Sequence, residues 1–224
     1  MPGIVIEKNV TKYEDIYKKG YDKSYPNLDA VRLEKMFFKG KTGKLLDYGF
    51  GTGSTLLHFL NSNYKCFGVE ASKEAIKLVS NKLKSLNKKA TLELIKEDEV
   101  RLPFENESFD YIICLSVLSL LGSKDKIEIL LKEFERILKS GGKMIVDING
   151  PEAGFVSKGR FVSEDTFEYV LRKNQKPITC YCPKSAEVFK SFLNNYFEVI
   201  DMGTVFFKYF DLENHEFIAC AIKG

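Results

Sequence analysis

The sequence predicts an α/β protein: a doubly wound, mostly parallel sheet with helices on both faces, finished by an antiparallel β-hairpin. Three observations predict it. Short apolar runs alternate with helix-period runs across the first two thirds of the chain, the pattern of strands buried on both faces. The first of these runs is followed by glycines at alternate positions, at a strand-to-helix turn. The last two strand-like runs leave no room for a helix between them, so they must pair antiparallel.

Taken in order, the predicted strands are Lys44–Tyr48, Cys66–Glu70, Thr91–Lys96, Tyr111–Leu115 and Lys143–Ile148. The helices between them are Thr55–Leu60, a Ser72-capped stretch to Leu86 and a Ser123-capped stretch to Leu138, the last closed by Gly141 and Gly142. Pro183, Lys184 and Ser185 then introduce a helix to about Leu193, and Phe197–Phe207 with Glu216–Ile222 form the hairpin. Residues 1–40 form a helical, tyrosine-rich arm, and 41–224 the main domain. Residues 151–183 are an insertion, strand-like at Thr166–Arg172 and Ile178–Cys182 around the turn 173–177. Arm and insertion are expected to lie over the C-terminal edge of the sheet, where ligands bind in such folds.

A chain of 224 residues suffices for one α/β domain with a full core. The net charge of +3 comes from bases scattered among acids, with no basic stripe interleaved with aromatics, so a nucleic-acid partner has little electrostatic support. No apolar run approaches a membrane span and the first ten residues lack a signal-peptide core, so neither membrane nor export is expected. Cys66, Cys114, Cys180, Cys182 and Cys220 read as free thiols in a reducing cytoplasm. Cys180 and Cys182 would share one strand face, but no second pair or histidine cluster completes a metal site.

Residues 45–54 read LLDYGFGTGS: Asp47 at the end of the strand, then Gly49, Gly51 and Gly53. The turn aims free N–H groups at a ligand near the following helix N-terminus. The spacing is G-x-G-x-G, whereas the dinucleotide fingerprint is G-x-G-x-x-G, and Ser54 stands where its third glycine would be. On residues alone, an ordinary glycine-rich turn is the alternative. Glu70 follows about twenty residues on, placed to accept both hydroxyls of a ribose, or to start a helix beside Ser72.

The segment 45–54 resembles motif I of the class I S-adenosylmethionine-dependent methyltransferases, in their small-molecule, type 11-like branch. The likeness continues through IKEDEVRLPFENESFDYI, FDYIICLSVLSLLG and LLKEFERILKSGGKMIVDI, and so covers most of residues 44–150. It implies a seven-stranded Rossmann-like sheet and S-adenosylmethionine as cofactor, with S-adenosylhomocysteine as product. It further implies a cradle of Asp47, Gly49, Gly51, Gly53, Glu70 and Ala71, with Asp98 or Glu99 at the adenine and Leu115 and Ser116 along the methionine part. A solvated acidic turn is the alternative for 97–99.

Ser119 stands where many relatives carry a histidine, and is taken with Tyr17 as the catalytic pair. His58 and His215 read as lone histidines rather than general bases. In the arm, the segment Y-P-N-x-x-x-x-R resembles relatives in which Tyr25 and Arg32 would contact the cofactor. Tyr17 and Tyr25 could cover a sulfonium by cation–π attraction, or simply pack. In the insertion, Arg160, Tyr169, Arg172 and Tyr181 are expected to form a substrate lid that attracts anions.

These residues are expected to serve a cytoplasmic methyltransferase, monomer or homodimer, acting on a small polar acceptor. A small-molecule acceptor is favoured because the Asn/Asp-Pro-Pro-Tyr sequence with which nucleobase amino-methylases grip an exocyclic amine is absent, and an amine of a sugar, phospho-amine or similar intermediate because histidines are few. The alternatives are an O-methyltransferase, a non-catalytic protein of the same fold, and an NAD-dependent oxidoreductase, which the glycine spacing and terminal hairpin oppose.

Overall fold

The computed structural model describes residues 6–39, 42–96, 99–170, 177–210 and 212–224, the side chains of Phe155 and Leu212 excepted. Its main sheet has seven strands: β1 (Lys44–Tyr48), β2 (Lys65–Glu70), β3 (Thr91–Leu94), β4 (Phe109–Cys114), β5 (Leu138–Asn149), β9 (Glu198–Tyr209) and β10 (Leu212–Ile222). Their order is β3-β2-β1-β4-β5-β10-β9. The first five are parallel, whereas β10 runs antiparallel to both β5 and β9. Strand order therefore reverses between β1 and β4, which opens a crevice above their C-terminal ends. Between β5 and β9 a separate antiparallel sheet holds β6 (Arg160–Ser163), β7 (Thr166–Tyr169) and β8 (Ile178–Tyr181).

The two faces of the sheet can be read off a single strand. In β5, Met144, Val146 and Ile148 join one apolar cluster, with α5 (Lys124–Ile137) and α7 (Ala186–Asn194). Ile145 faces the other way, among residues of α2 (Leu28–Leu33), α3 (Ser54–Asn61) and α4 (Lys73–Ser85). Period-two alternation with both sets fully buried is what a doubly covered sheet demands. Ser72, Ser123 and Ser185 each cap the helix that follows by accepting a backbone N–H.

The structure departs from expectation in three places. Gly141 and Gly142 do not close α5, which ends at Ile137. They lie inside β5, where Gly141 donates to the Lys223 carbonyl at 2.8 Å and Lys223 donates to that of Gly142 at 3.0 Å. Gly141 has φ +73°, a conformation that a side chain resists. The arm is not one helix: α1 (Glu7–Lys18) and α2 are separated by an extended stretch, since Pro26 restricts Tyr25 and cannot donate within a helix. The insertion contains β6 and a one-turn α6 (Gly154–Ser157) that the sequence did not signal, because β6 is exposed along its length and has no apolar alternation. The turn 173–177 and the end of the run to Arg172 fall largely on residues 171–176, outside the described residues.

Helix α1 is fastened across the crevice by Asn9, which is 4% exposed. Its Nδ2 donates to the carbonyls of Leu120 at 2.7 Å and Thr179 at 2.9 Å, while its Oδ1 accepts the Thr179 N–H at 3.0 Å. An alanine there would strand buried backbone groups at about 1–3 kcal/mol each. Asn9→Ala should therefore accelerate amide hydrogen exchange in residues 7–18 while β1 and β4 keep their protection. Unchanged exchange in α1 would show that its tyrosines alone hold it down.

Candidate functional site

A cavity of about 340 Å³ lies in the crevice at the reversal of strand order. Its floor is the turn after β1, with Asp47, Gly49 and Gly51; one wall is Glu70, Ala71 and Ile95, the other Leu115 and Ser116. Helix α1 roofs it with Tyr13 and Tyr17, and the stretch between α1 and α2 closes it with Tyr21, Lys23 and Asn27.

The three glycines do different work. Gly51 has φ +53°, and a Cβ there would sit 3.0 Å from the Tyr17 hydroxyl, so the bare backbone keeps floor and roof apart. Gly53 makes room for the fold instead: a Cβ there would meet Val79 of α4 at 2.6 Å. Gly53 is accordingly absent from the cavity lining. The first turn of α3 contributes Ser54 and Thr55 to the wall, and Thr55 Oγ1 accepts the Asn27 N–H at 3.1 Å, tying the closing segment to that helix.

Glu70 is the hub of the floor. Its Oε2 accepts the Gly51 N–H at 2.8 Å, and its Oε1 accepts those of Ala71 at 2.8 Å and Ser72 at 3.0 Å. Burial raises its pKa, and these three donors pull it back down. Oε1 is filled by its two donors, whereas Oε2 retains one acceptor site, so the same carboxylate can brace the turn and receive a hydroxyl from the cavity side.

Asp47 is 4% exposed, and its Oδ2 has no hydrogen-bond partner among the described residues. Burial, with the nearby Glu70 charge, pushes its carboxyl up to about 7. It is thus a buried acid on a cavity wall, suited to a ligand cation. Tyr13 and Tyr17 are raised further above the ordinary phenol range, chiefly by burial. Their hydroxyls stay protonated at neutral pH, so Tyr17 offers a donor and a ring face, not a base.

The structure brings Tyr17, Asp47, Gly49, Gly51, Glu70, Ala71, Leu115 and Ser116 together around the cavity. It places the other expected residues elsewhere. Ser119 is buried, and its hydroxyl accepts the Asn149 N–H at 2.9 Å, bracing the end of β5 rather than facing the cavity. Tyr25 is 61% exposed, with the Lys23 ammonium 4.8 Å from its ring centroid. Arg32 is exposed and pairs with Asp29 at 3.4 Å. Glu99 closes a local turn by accepting the Lys96 N–H at 2.9 Å, and Asp98 lies outside the described residues.

The expected lid residues likewise face away. Arg160 is exposed and pairs with Glu168, Tyr169 packs beside Ile178 and Cys180, and Tyr181 is buried in the core near Phe192. Arg172 lies outside the described residues. An arginine and tyrosines in one insertion suggest an anion site only if they share a face, and here strand alternation and burial divide them.

Neither histidine lines the cavity. His58 Nε2 is 3.9 Å from the Glu34 carboxylate, and His215 Nδ1 accepts the Glu152 N–H at 3.1 Å. Among the described residues no group of three His, Cys, Asp or Glu side chains could hold a metal ion. No helix among them is long and apolar enough to cross a membrane. All five cysteines are free and buried. Sequence reasoning missed Asn9, Tyr13, Lys23 and Asn27 as wall residues. Only Asn27 carried a signal, the N-cap pattern before α2, where its Oδ1 accepts the N–H groups of Asp29 and Ala30.

Residues 46–146 match the family model for a methyltransferase domain. Over 101 residues the chain is 29% identical to the sterol 4-C-methyltransferase strm-1 of Caenorhabditis elegans, a match covering 45% of this chain and 29% of that protein. The chain spans between 29% and 60% of the length of the first three curated relatives it matches. Its fold is similar to that of the PH0226 protein from Pyrococcus horikoshii OT3, at TM-score 0.72 and 18% identity over 93% of this chain and 99% of the other. It is also similar to the N-methyltransferase NodS from Bradyrhizobium japonicum WM9, solved with S-adenosylhomocysteine, at TM-score 0.67 and 12% identity over 97% and 99%.

The unpartnered Asp47 carboxylate makes a prediction about stability. Its folded pKa of about 7 lies above the ordinary 3.8, so the folded state binds the proton more tightly. Stability from this group is therefore lost as pH rises from about 4 to about 7, by on the order of 4 kcal/mol, and is level above that. Asp47→Asn keeps the shape and removes the charge. In thermal unfolding without ligand, the variant should gain on the wild type across that window and hold its lead above it. A difference independent of pH would mean that the carboxyl ionises in the folded protein as it does in the unfolded chain.

Proposed function

We propose that this chain, a member of the class I S-adenosylmethionine-dependent methyltransferase family through its domain at residues 46–146, transfers a methyl group to a small polar acceptor. The observation that carries the reading is the glycine turn bonded to Glu70 at the floor of a cavity at the strand reversal. The residues present fit the cofactor: Glu70 Oε2 has capacity left for a ribose hydroxyl, Asp47 offers an unpaired oxygen to an ammonium, and Gly51 leaves backbone open to a close approach. S-adenosylmethionine supplies a methyl group already activated on a sulfonium.

What remains for the protein is placement and the exclusion of water. Tyr17, held above Gly51 by α1, covers the cavity, and Leu115 and Ser116 bound its far side. No histidine reaches the cavity, which favours an acceptor that needs no strong base: an amine used in its neutral form. An unactivated hydroxyl would need a proton acceptor that the lining supplies only through carboxylates.

Titration of S-adenosylmethionine, S-adenosylhomocysteine and NAD against the purified protein separates this reading from a dinucleotide enzyme. The first two should bind and NAD should not. Gly51→Val would strain the turn and meet Tyr17, weakening S-adenosylhomocysteine binding about tenfold or more, on the order of 1.4 kcal/mol. Preferential NAD binding, or wild-type affinity in a folded Gly51→Val protein, would refute the proposal.

Glu70→Ala tests a double role. Because the carboxylate holds three backbone donors, the variant should melt lower. It should also bind S-adenosylhomocysteine at least tenfold more weakly at a temperature where it is still folded. A lower melting temperature with unchanged affinity would leave Glu70 as a brace alone.

A further inference from the structure

We propose that Asp147 is a positioning residue for the cofactor cavity: from behind the wall it holds Ser116 in a left-handed conformation, and so fixes the wall segment 115–117 against the glycine turn. The inference rests on the methyl-transfer reading above and gives a part in that site to a buried acid that does not line it.

Strands β4 and β5 run parallel, and their ladder ends at the pair Cys114 and Val146. Beyond it the chain leaves the sheet, and Leu115, Ser116 and Val117 line the cavity. Where the ladder stops, a side chain takes over. Asp147, the next residue of β5, accepts the Ser116 N–H on its Oδ1 at 2.6 Å. It is 1% exposed, and its Oδ2 is buried with no partner among the described residues.

Ser116 has φ +60°, in the left-handed region where a Cβ crowds the backbone. Among the described residues it is the only non-glycine on the cavity wall with a positive φ. Its side chain is exposed, so burial does not offset the strain.

The conformation decides where the following residues go. Val117 comes next and lies on the floor, where a Cβ on Gly49 would collide with Val117 Cγ2. Further on, Ser119 Oγ accepts the Asn149 N–H at 2.9 Å, and the Leu120 carbonyl accepts from Asn9 of the roof at 2.7 Å. The segment thus joins floor, roof and sheet. Strand β5 holds it at two points, and only the Asp147 bond falls on a strained residue of the cavity wall.

A bond that served folding alone would need neither the strain nor an acid with an idle oxygen. Both are unfavourable, and strained backbone of this kind gathers where a site must keep one shape. Without the bond, Ser116 relaxes to an ordinary conformation, Val117 leaves Gly49 and the wall opposite Glu70 loses its place.

The test measures S-adenosylhomocysteine affinity by calorimetry, with the melting temperature of each variant recorded beside it. Asp147→Asn keeps an oxygen for the Ser116 N–H and should bind within about twofold of the wild type. Asp147→Val is close in size, suits a strand and offers no acceptor. It should bind about tenfold or more weakly. Ser116→Gly alone should stay within about twofold, since glycine adopts a positive φ freely. Added to Asp147→Val, it should raise affinity about threefold or more without raising the melting temperature, because the strain that the bond restrained is gone. A brace for stability alone would make affinity follow melting temperature and give no such recovery. Asp147→Ala replaces Asp147→Val in every comparison if the valine variant does not fold.

Wild-type affinity in Asp147→Val would overturn the proposal, as would an equal loss in Asp147→Asn or no recovery in the double variant. A tenfold loss in Ser116→Gly alone would also overturn it, by assigning the effect to the serine side chain. Failure of the wild type to bind S-adenosylhomocysteine is a different result: it would remove the methyl-transfer reading, and this inference with it.

Discussion

The site depends on one interaction, the Glu70 carboxylate spanning the crevice. Strand β1 ends in the glycine turn and β2 ends in the start of α4, and the parallel ladder ties the two ends only as far as the Gly49 N–H, which donates to the Val69 carbonyl at 2.8 Å. Glu70 joins them beyond that point by taking the Gly51 N–H on one oxygen and the Ala71 and Ser72 N–H groups on the other. Three backbone donors that would otherwise point into the cavity unpaired are satisfied at once. Val79 packing against Gly53 then sets α4 against the same turn from behind.

A buried acid at the centre of this arrangement sets the electrostatics around it. Glu70 raises the pKa of Asp47 and of both roofing tyrosines. The phenols therefore remain donors, and Asp47 approaches neutrality when nothing positive is bound. A ligand carrying an ammonium reverses that state by supplying the missing charge. Asp147 is raised in the same way, chiefly by burial and then by the Glu216 charge.

The legible part of this chain was the part governed by local rules. The parallel strands and their helices follow from alternation and serine caps, and the terminal hairpin follows from a connection too short for a crossover. The glycine turn was legible because backbone conformation restricts residue choice there. Gly141 and Gly142 misled for the same reason: a glycine pair signals unusual backbone, and here the need is a strand paired with Lys223 rather than a helix end. Ser119 was credited with catalysis, and Tyr25 and Arg32 with cofactor contacts, because their places in the sequence resemble those of relatives. Their side chains are instead committed to Asn149, to solvent near Lys23 and to Asp29.

The buried acids beside β5 were illegible for a different reason. Asp29, Ser116, Asp147 and Glu216 are separated along the chain by dozens of residues, and each alone reads as an ordinary surface or strand-end residue. Only the antiparallel insertion of β10 beside β5 sets Glu216 diagonal to Asp147, and only the backbone twist at Ser116 brings an N–H to the latter. The hairpin that distinguishes this sheet from a dinucleotide-binding half-domain therefore has a chemical consequence. By placing an antiparallel strand where a sixth parallel strand would lie, it delivers an acid from its own N-terminal end to the C-terminal edge of β5. The topology that closes the sheet thereby also sets one acid diagonal to another on the same face.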